Sequence, residues 1–153
     1  MWVLLNGVTF GTLSKFYSYT TQNLKVKVSK NFGGVNERQL EQYLSVITKF
    51  RNVCAHNERL YSYQTRNDIP DTAIHQKLSI PKNGTQYRCG KRDLFAVVIA
   101  FRYLLPNDSF RKFKASLSRI LKHYLKSGAM SEADLYRYMG FPDNWETISR
   151  CPK

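Results

Sequence analysis

The apolar residues of this chain recur in blocks with helical spacing, parted by short polar breaks and by one long stretch in which the periodicity disappears. Between Trp2 and about Thr20, Leu4, Val8, Leu13, Phe16 and Tyr17 mark one face of a predicted opening helix. That helix begins abruptly, with no capping residue ahead of it. A short second helix is predicted over residues 23–30, stopped by Gly33 and Gly34. Asn36 is a good N-cap and Glu37 suits the first turn of a third helix. There Leu40, Leu44, Ile47 and Cys54 form one stripe with Phe50 beside it, and the helix ends close to His56.

From Asn57 to Gly90 the pattern breaks down. Pro70, Pro81 and the run KNGTQ punctuate it, leaving short apolar pieces, so residues 57–90 read as a long irregular insertion with room for a short hairpin. Helical pattern returns in KRDLFAVVIAFRYLL, breaks at Pro106 and Asn107, and resumes from Ser109. On that next helix Phe110, Phe113, Leu117, Leu121 and Tyr124 face one way, while Lys112, Arg119, Lys122 and Lys126 face another. Gly128 closes it. Ser131 and Asp134 then open a last short helix, SEADLYRYMG, as an S-x-x-D capping box. The expectation is an all-α helical bundle, a single domain over residues 1–153, with the irregular insertion after the third helix.

Composition narrows the function classes. A hydrophobic fraction of 42% with 14% aromatics in 153 residues argues for a folded chain with a real core. The 24 Lys and Arg against 11 Asp and Glu give a net charge of +13, which favours polyanions: nucleic acid first, an anionic membrane surface second. Residues 88–126 hold ten basic and two acidic residues, so they supply most of the excess. A solvated helix face is the simpler account; a phosphate-tracking surface with Tyr and Phe to stack bases is the other. Three cysteines, Cys54, Cys89 and Cys151, show no framework spacing and fit a reduced, cytoplasmic compartment. The opening MWVLLNGVTFGTL has no basic residue before it and is interrupted by Asn6, Gly7 and Thr9. It therefore reads neither as a signal peptide nor as a membrane span. Its abrupt start reads as a cut inside a longer protein.

The stretch RNVCAHNERL, residues 51–60, gathers polar chemistry where the third helix gives out. In one reading Arg51 and His56 satisfy the last helix carbonyls and the helix dipole. In the other they are held for catalysis. Metal-free RNA cleavage needs a group to take the proton of the 2′-hydroxyl or to supply one to the leaving oxygen, and histidine suits that near neutral pH. It also needs a fixed positive charge against the phosphorane oxygens, which a guanidinium provides with bidentate bonds. Asn52 lies four residues before His56 and shares its face. A second copy of the pair, from a symmetric partner, would set an acid opposite a base, so a homodimer is expected. Spacing alone leaves both readings open.

A resemblance adds to this. RNVCAHNERLY looks like the R-x(4-6)-H motif of HEPN-superfamily ribonucleases, in the version with a polar residue directly after the arginine. The blocks WVLLNGVTFGTLSKFY, FRNVCAHNERLY, GKRDLFAVV and MGFPDNW, in that order, resemble the bacterial Abi-like abortive-infection family over nearly the whole chain. The resemblance implies an α-helical HEPN fold and an RNA-cleaving role in phage defence through growth arrest. Arg51 and His56 fall on the motif's catalytic arginine and histidine, and Asn52 on its polar position. Family members usually carry further N-terminal helices before the WVLLNGVTFG block, and Asn57 stands where relatives often have a second histidine. A growth-arresting nuclease also implies an inhibitory RNA or protein partner. The expectation is thus a metal-independent endoribonuclease with Arg51, His56 and Asn52 at its centre, RNA-binding residues Arg59, Lys112, Arg119, Lys122 and Lys126, and no cofactor. The alternative is a non-catalytic RNA-binding or toxin–antitoxin-like interaction module.

Other candidates are weaker. Cys54, His56, His75 and Cys89 offer zinc-type donors, but C-x-H…H…C lacks a CxxC knuckle and Cys-x-His is poor geometry on a helix, so no metal is expected. Cys54 reads as a small core residue, and a Cys54–His56 nucleophile pair lacks an oxyanion signature. Arg59 either contacts RNA backbone or pairs with Glu58 or an acidic residue of the insertion. His123 reads as a surface histidine, with a phosphate contact as the alternative. GKRD at 90–93 reads as a helix start with loose basic charge; it lacks the P-loop framework.

Overall fold

Capping signals in the sequence become hydrogen bonds in the computed structural model, which describes residues 8–151. Thr9 is extended and its hydroxyl accepts from the Thr12 N–H, starting α1 at Phe10–Tyr19. The described helix therefore starts at Phe10, with Val8 and Thr9 ahead of it; the part of the expected helix at Trp2 and Leu4 lies outside the described residues. Helix α2 covers Gln22–Ser29, and a turn with Gly34 at φ 76° leads to α3, Glu37–Ala55. Asn36 Oδ1 accepts from Gln39 N–H at 2.8 Å while Gln39 Oε1 accepts from Asn36 N–H at 3.0 Å, a complete capping box.

Helix α3 buries Leu40, Tyr43, Val46, Phe50 and Val53. That stripe corrects the expected one: Leu44 and Ile47 are only partly buried, and Cys54 is exposed. The reason is angular. Cys54 stands about 100° past Val53 around the helix, which carries it off the core line. Helix α1 departs further from its expected face. Only Tyr17 is buried, while Val8, Leu13 and Phe16 are exposed.

The centre of the molecule is α5, Leu94–Leu104, apolar nearly all round and buried at Phe95, Val98 and Ile99. Helix α3 packs on it, with Tyr43 and Tyr103 stacked at 5.7 Å between ring centroids. Helix α6, Asn107–Lys126, packs on another flank; it starts from Pro106 as N-cap, ahead of the expected Ser109. Phe110 and Leu121 are buried as expected, whereas Tyr124 is exposed. Ser131 caps α7, Glu132–Met139, its hydroxyl accepting from the Asp134 N–H, and Gly140 at φ 73° closes it. A 3-10 helix, Trp145–Arg150, seals the core with Trp145 and Ile148.

The insertion is more structured than expected. It holds a one-turn helix α4, Ala73–Lys77, and the hairpin β1, Lys82–Asn83, with β2, Gln86–Tyr87, antiparallel and in register Lys82 to Tyr87. Ile69, Ile74, Leu78, Ile80 and Tyr87 are all buried in the common core. Isolated apolar residues without a period escape a periodicity analysis, yet each fills space between neighbours. Nor is GKRD loose charge. Lys91 is buried and bridges to Asp71 at 2.5 Å, Arg92 reaches Asp68 at 3.3 Å, and Asp93 caps α5 by accepting from Ala96 N–H. The result is an all-α fold apart from one small hairpin. Among the described residues no helix is long and apolar enough to cross a membrane.

Candidate functional site

The end of α3 is closed by the backbone. Asn57 N–H donates to the Cys54 carbonyl at 3.3 Å and Glu58 N–H to the Val53 carbonyl at 3.1 Å, with Asn57 left-handed at φ 54°. This is a Schellman motif with asparagine in the position glycine usually takes. The Asn52, Val53 and Cys54 carbonyls are thus satisfied without help from the Arg51 or His56 side chains. Both are exposed, and among the described residues neither enters an ion pair.

Arg51 and Asn52 are brought together, with the guanidinium Nη1 donating to Asn52 Oδ1 at 3.3 Å. His56 is not joined to them by its side chain. Helical geometry puts Arg51 and His56 about 140° apart. His56 is the C-cap, at φ −98° and ψ 9°, and its N–H still donates to the Asn52 carbonyl at 3.0 Å. His56 instead continues a polar line along the helix, Ser45, Lys49, Asn52 and His56, whose steps of four, three and four residues keep one face.

Arg51 borders two cavities of opposite character. Between α3, α5 and α6 lies an apolar cavity of about 380 Å³, lined by Ile47, Phe50, Val97, Phe101, Phe113 and Leu117, with Arg51 and Cys54 also on its wall. Between α1 and α3 lies a groove of about 410 Å³ with Lys15, Lys49, Arg51 and Asn52 on its wall. Helix α1 runs antiparallel to α3. Tyr17 donates to the Glu37 carbonyl at 3.2 Å near the start of α3, while a Cβ on Gly11 would stand 3.4 Å from Thr48 Cγ2 near its end. The first turn of α1 is thereby set beside Arg51 and Asn52. Lys15 and Lys49 were absent from the sequence-derived site. The four-three-four polar line was a signal for Lys49; Lys15 reaches the groove only through helix packing.

The predicted RNA-binding cations divide. Arg59 is exposed and, among the described residues, pairs with neither Glu58 nor an acidic residue of the insertion. Lys112, Arg119 and Lys126 are exposed on one face of α6, but Lys122 lies 3.4 Å from Glu146. That carboxylate also accepts from Ser118, a bond that with Lys122 holds it below its usual range. His123 is exposed on α6.

The zinc-type donors are separated by structure. His75 is buried, its Nδ1 accepting from the Thr72 N–H at 3.1 Å, so its Nε2–H donates to the Gly90 carbonyl at 3.0 Å. Burial lowers its pKa and pushes the Cys89 thiol up to about 12, leaving both neutral. Among the described residues no group of three or more His, Cys, Asp or Glu side chains is placed to hold a metal ion.

No curated protein and no solved structure gives a match to this chain. The model of the family described as Abi-like protein matches residues 1–62, a segment that contains α1, α2, α3 and the whole of RNVCAHNERL. That match covers about two fifths of the chain and is a likeness of this segment to the Abi-like family.

Proposed function

We propose that the chain is a metal-independent endoribonuclease of HEPN type that works in abortive infection as a homodimer. The observation that carries this reading is the free state of the motif. The backbone alone closes α3, so Arg51, Asn52 and His56 keep their side-chain chemistry at the surface. In the reaction the 2′-hydroxyl attacks the adjacent phosphorus and the P–O5′ bond breaks, leaving a 2′,3′-cyclic phosphate and a 5′-hydroxyl. His56 takes the 2′ proton, and the partner subunit's His56 supplies one to the departing oxygen. Arg51, oriented by Asn52, neutralises the non-bridging oxygens as charge builds on them. The divergence of Arg51 and His56 within one protomer is the reason to invoke two protomers, with the motifs facing across a two-fold axis.

That same divergence favours a second reading, a non-catalytic RNA-binding or toxin–antitoxin-like module that uses the motif for contact alone. One experiment separates them. Cleavage of a labelled RNA should persist in EDTA and give 2′,3′-cyclic ends. His56→Ala should retain RNA binding while cleavage falls roughly 10²–10⁴-fold, the usual worth of a general acid or base. Strict dependence on Mg²⁺, or unchanged cleavage by His56→Ala, would refute the catalytic reading.

A further inference from the structure

The groove between α1 and α3 has a composition that the motif does not require. Its wall carries three cations, Lys15, Lys49 and Arg51, together with Asn52 and the hydroxyls of Thr12, Ser14 and Ser45, and no carboxylate. Lys49 is half-buried, yet among the described residues it has neither an ion pair nor a side-chain hydrogen bond. Elsewhere the fold neutralises such lysines: Lys25 is bridged to Glu41 at 2.8 Å and Lys91 to Asp71 at 2.5 Å. An unpaired lysine whose side chain is half covered by the groove wall, with a second lysine and hydroxyl groups on the same wall, suits an anion with several acceptor oxygens.

Direction comes from the line Ser45, Lys49, Asn52, His56, which runs along the groove side of α3 toward the motif. A chain of phosphates laid in the groove would pass Lys49 and Lys15 before reaching Arg51 and Asn52. A polynucleotide supplies phosphate oxygens in succession, which suits two lysines followed by Arg51 and Asn52 on the wall of one groove.

We propose that the groove between α1 and α3 is a phosphate subsite for single-stranded RNA, in which Lys15 and Lys49 bind the phosphodiester next to the one held by Arg51. The proposal rests on the preceding reading for the place of the scissile phosphate, but groove binding does not depend on cleavage. Phosphate contacts of this kind position the strand without reading its sequence. The groove, more than the basic face of α6, is then the main path of the strand.

The test uses the full chain and a fluorescein-labelled, fully 2′-O-methylated oligouridylate, which lacks the attacking hydroxyl and cannot be cleaved. Anisotropy titrations across a salt series give affinity and its salt dependence. Lys15→Gln and Lys49→Gln should each weaken binding by roughly fivefold and lower the log–log salt slope by about 0.7, the value for one single-strand phosphate contact. Lys49→Arg should restore both, which also controls for a folding defect at this half-buried position. If cleavage proves absent while both lysine variants behave as stated, the groove stands and the nuclease reading falls. Wild-type affinity and slope in Lys15→Gln and Lys49→Gln, or no binding of the oligouridylate by the wild type, would overturn the proposal. Displacement of the labelled oligouridylate by poly-glutamate at lower concentration than by the unlabelled oligouridylate would overturn it too, in favour of an acidic protein.

Discussion

Asp93 offers a sharp test of how the core is held together. Its carboxylate is buried, accepting from Gly90 N–H at 2.8 Å and from Ala96 N–H at 3.1 Å as the cap of α5. Burial pushes the group from 3.8 up to about 6, against the opposing pull of those backbone N–H bonds. A carboxyl with a raised folded-state pKa stabilises the fold fully below its unfolded value, and that contribution is lost as pH rises through the folded value. The difference of about two pKa units corresponds to about 3 kcal/mol, given up between about pH 4 and pH 7. Asp93→Asn removes the titration while its side-chain oxygen can still accept from Ala96 N–H. Urea unfolding of both proteins at fixed ionic strength, from about pH 4 to about pH 7.5, isolates the effect as their difference in unfolding free energy. Wild type should lose about 3 kcal/mol relative to the variant across that window. A difference that stays flat with pH, or that moves in favour of wild type as pH rises, would refute the assignment of a buried, proton-retaining carboxyl.

Gly140→Ala should be severely destabilising, by roughly 3 kcal/mol or more, because the position is left-handed and a Cβ there would overlap Asp93; chemical denaturation measures the loss. Asn57→Gly should hold or slightly raise stability, whereas Asn57→Val should cost about 1–2 kcal/mol by straining the left-handed closure of α3, read by thermal unfolding. Arg51→Ala should impair RNA binding and cleavage together, since one guanidinium would serve ground state and transition state alike; kinetics and anisotropy report the two separately. Charge reversal at Lys112, Arg119 and Lys122 should weaken RNA binding less than the Lys15 and Lys49 changes do, because Lys122 is already paired with Glu146.

Local signals were legible wherever a side chain answers its own backbone. Asn36, Ser131 and Gly128 mark helix ends by hydrogen bonding or by left-handed freedom, which depend on residues only a few positions away. Thr9 carries the same kind of signal, but the apolar run through it made the first helix look continuous. The insertion was opaque for a different reason. Ile69, Ile74, Leu78 and Ile80 are buried by neighbours distant in sequence, so no period marks them. Cys54 shows the same limit on a helix, where a shift of one position moves a side chain from core to surface.

For the candidate site, sequence alone determined the residue types and their order: Arg51, Asn52 and His56 at the end of a helix, in an excess of positive charge. Only tertiary structure decided what stands beside them. The Arg51–Asn52 bond is local, between neighbours on one helix, whereas the packing of α1 on α3 brought Lys15 to the groove that Lys49, Arg51 and Asn52 line. Tertiary structure also paired Lys91, Arg92 and Lys122 with acidic partners that sequence proximity does not indicate. Helix periodicity fixes directions around one axis. Which charge is free and which is neutralised depends on the chain's return past that axis, and that is set by packing of the core.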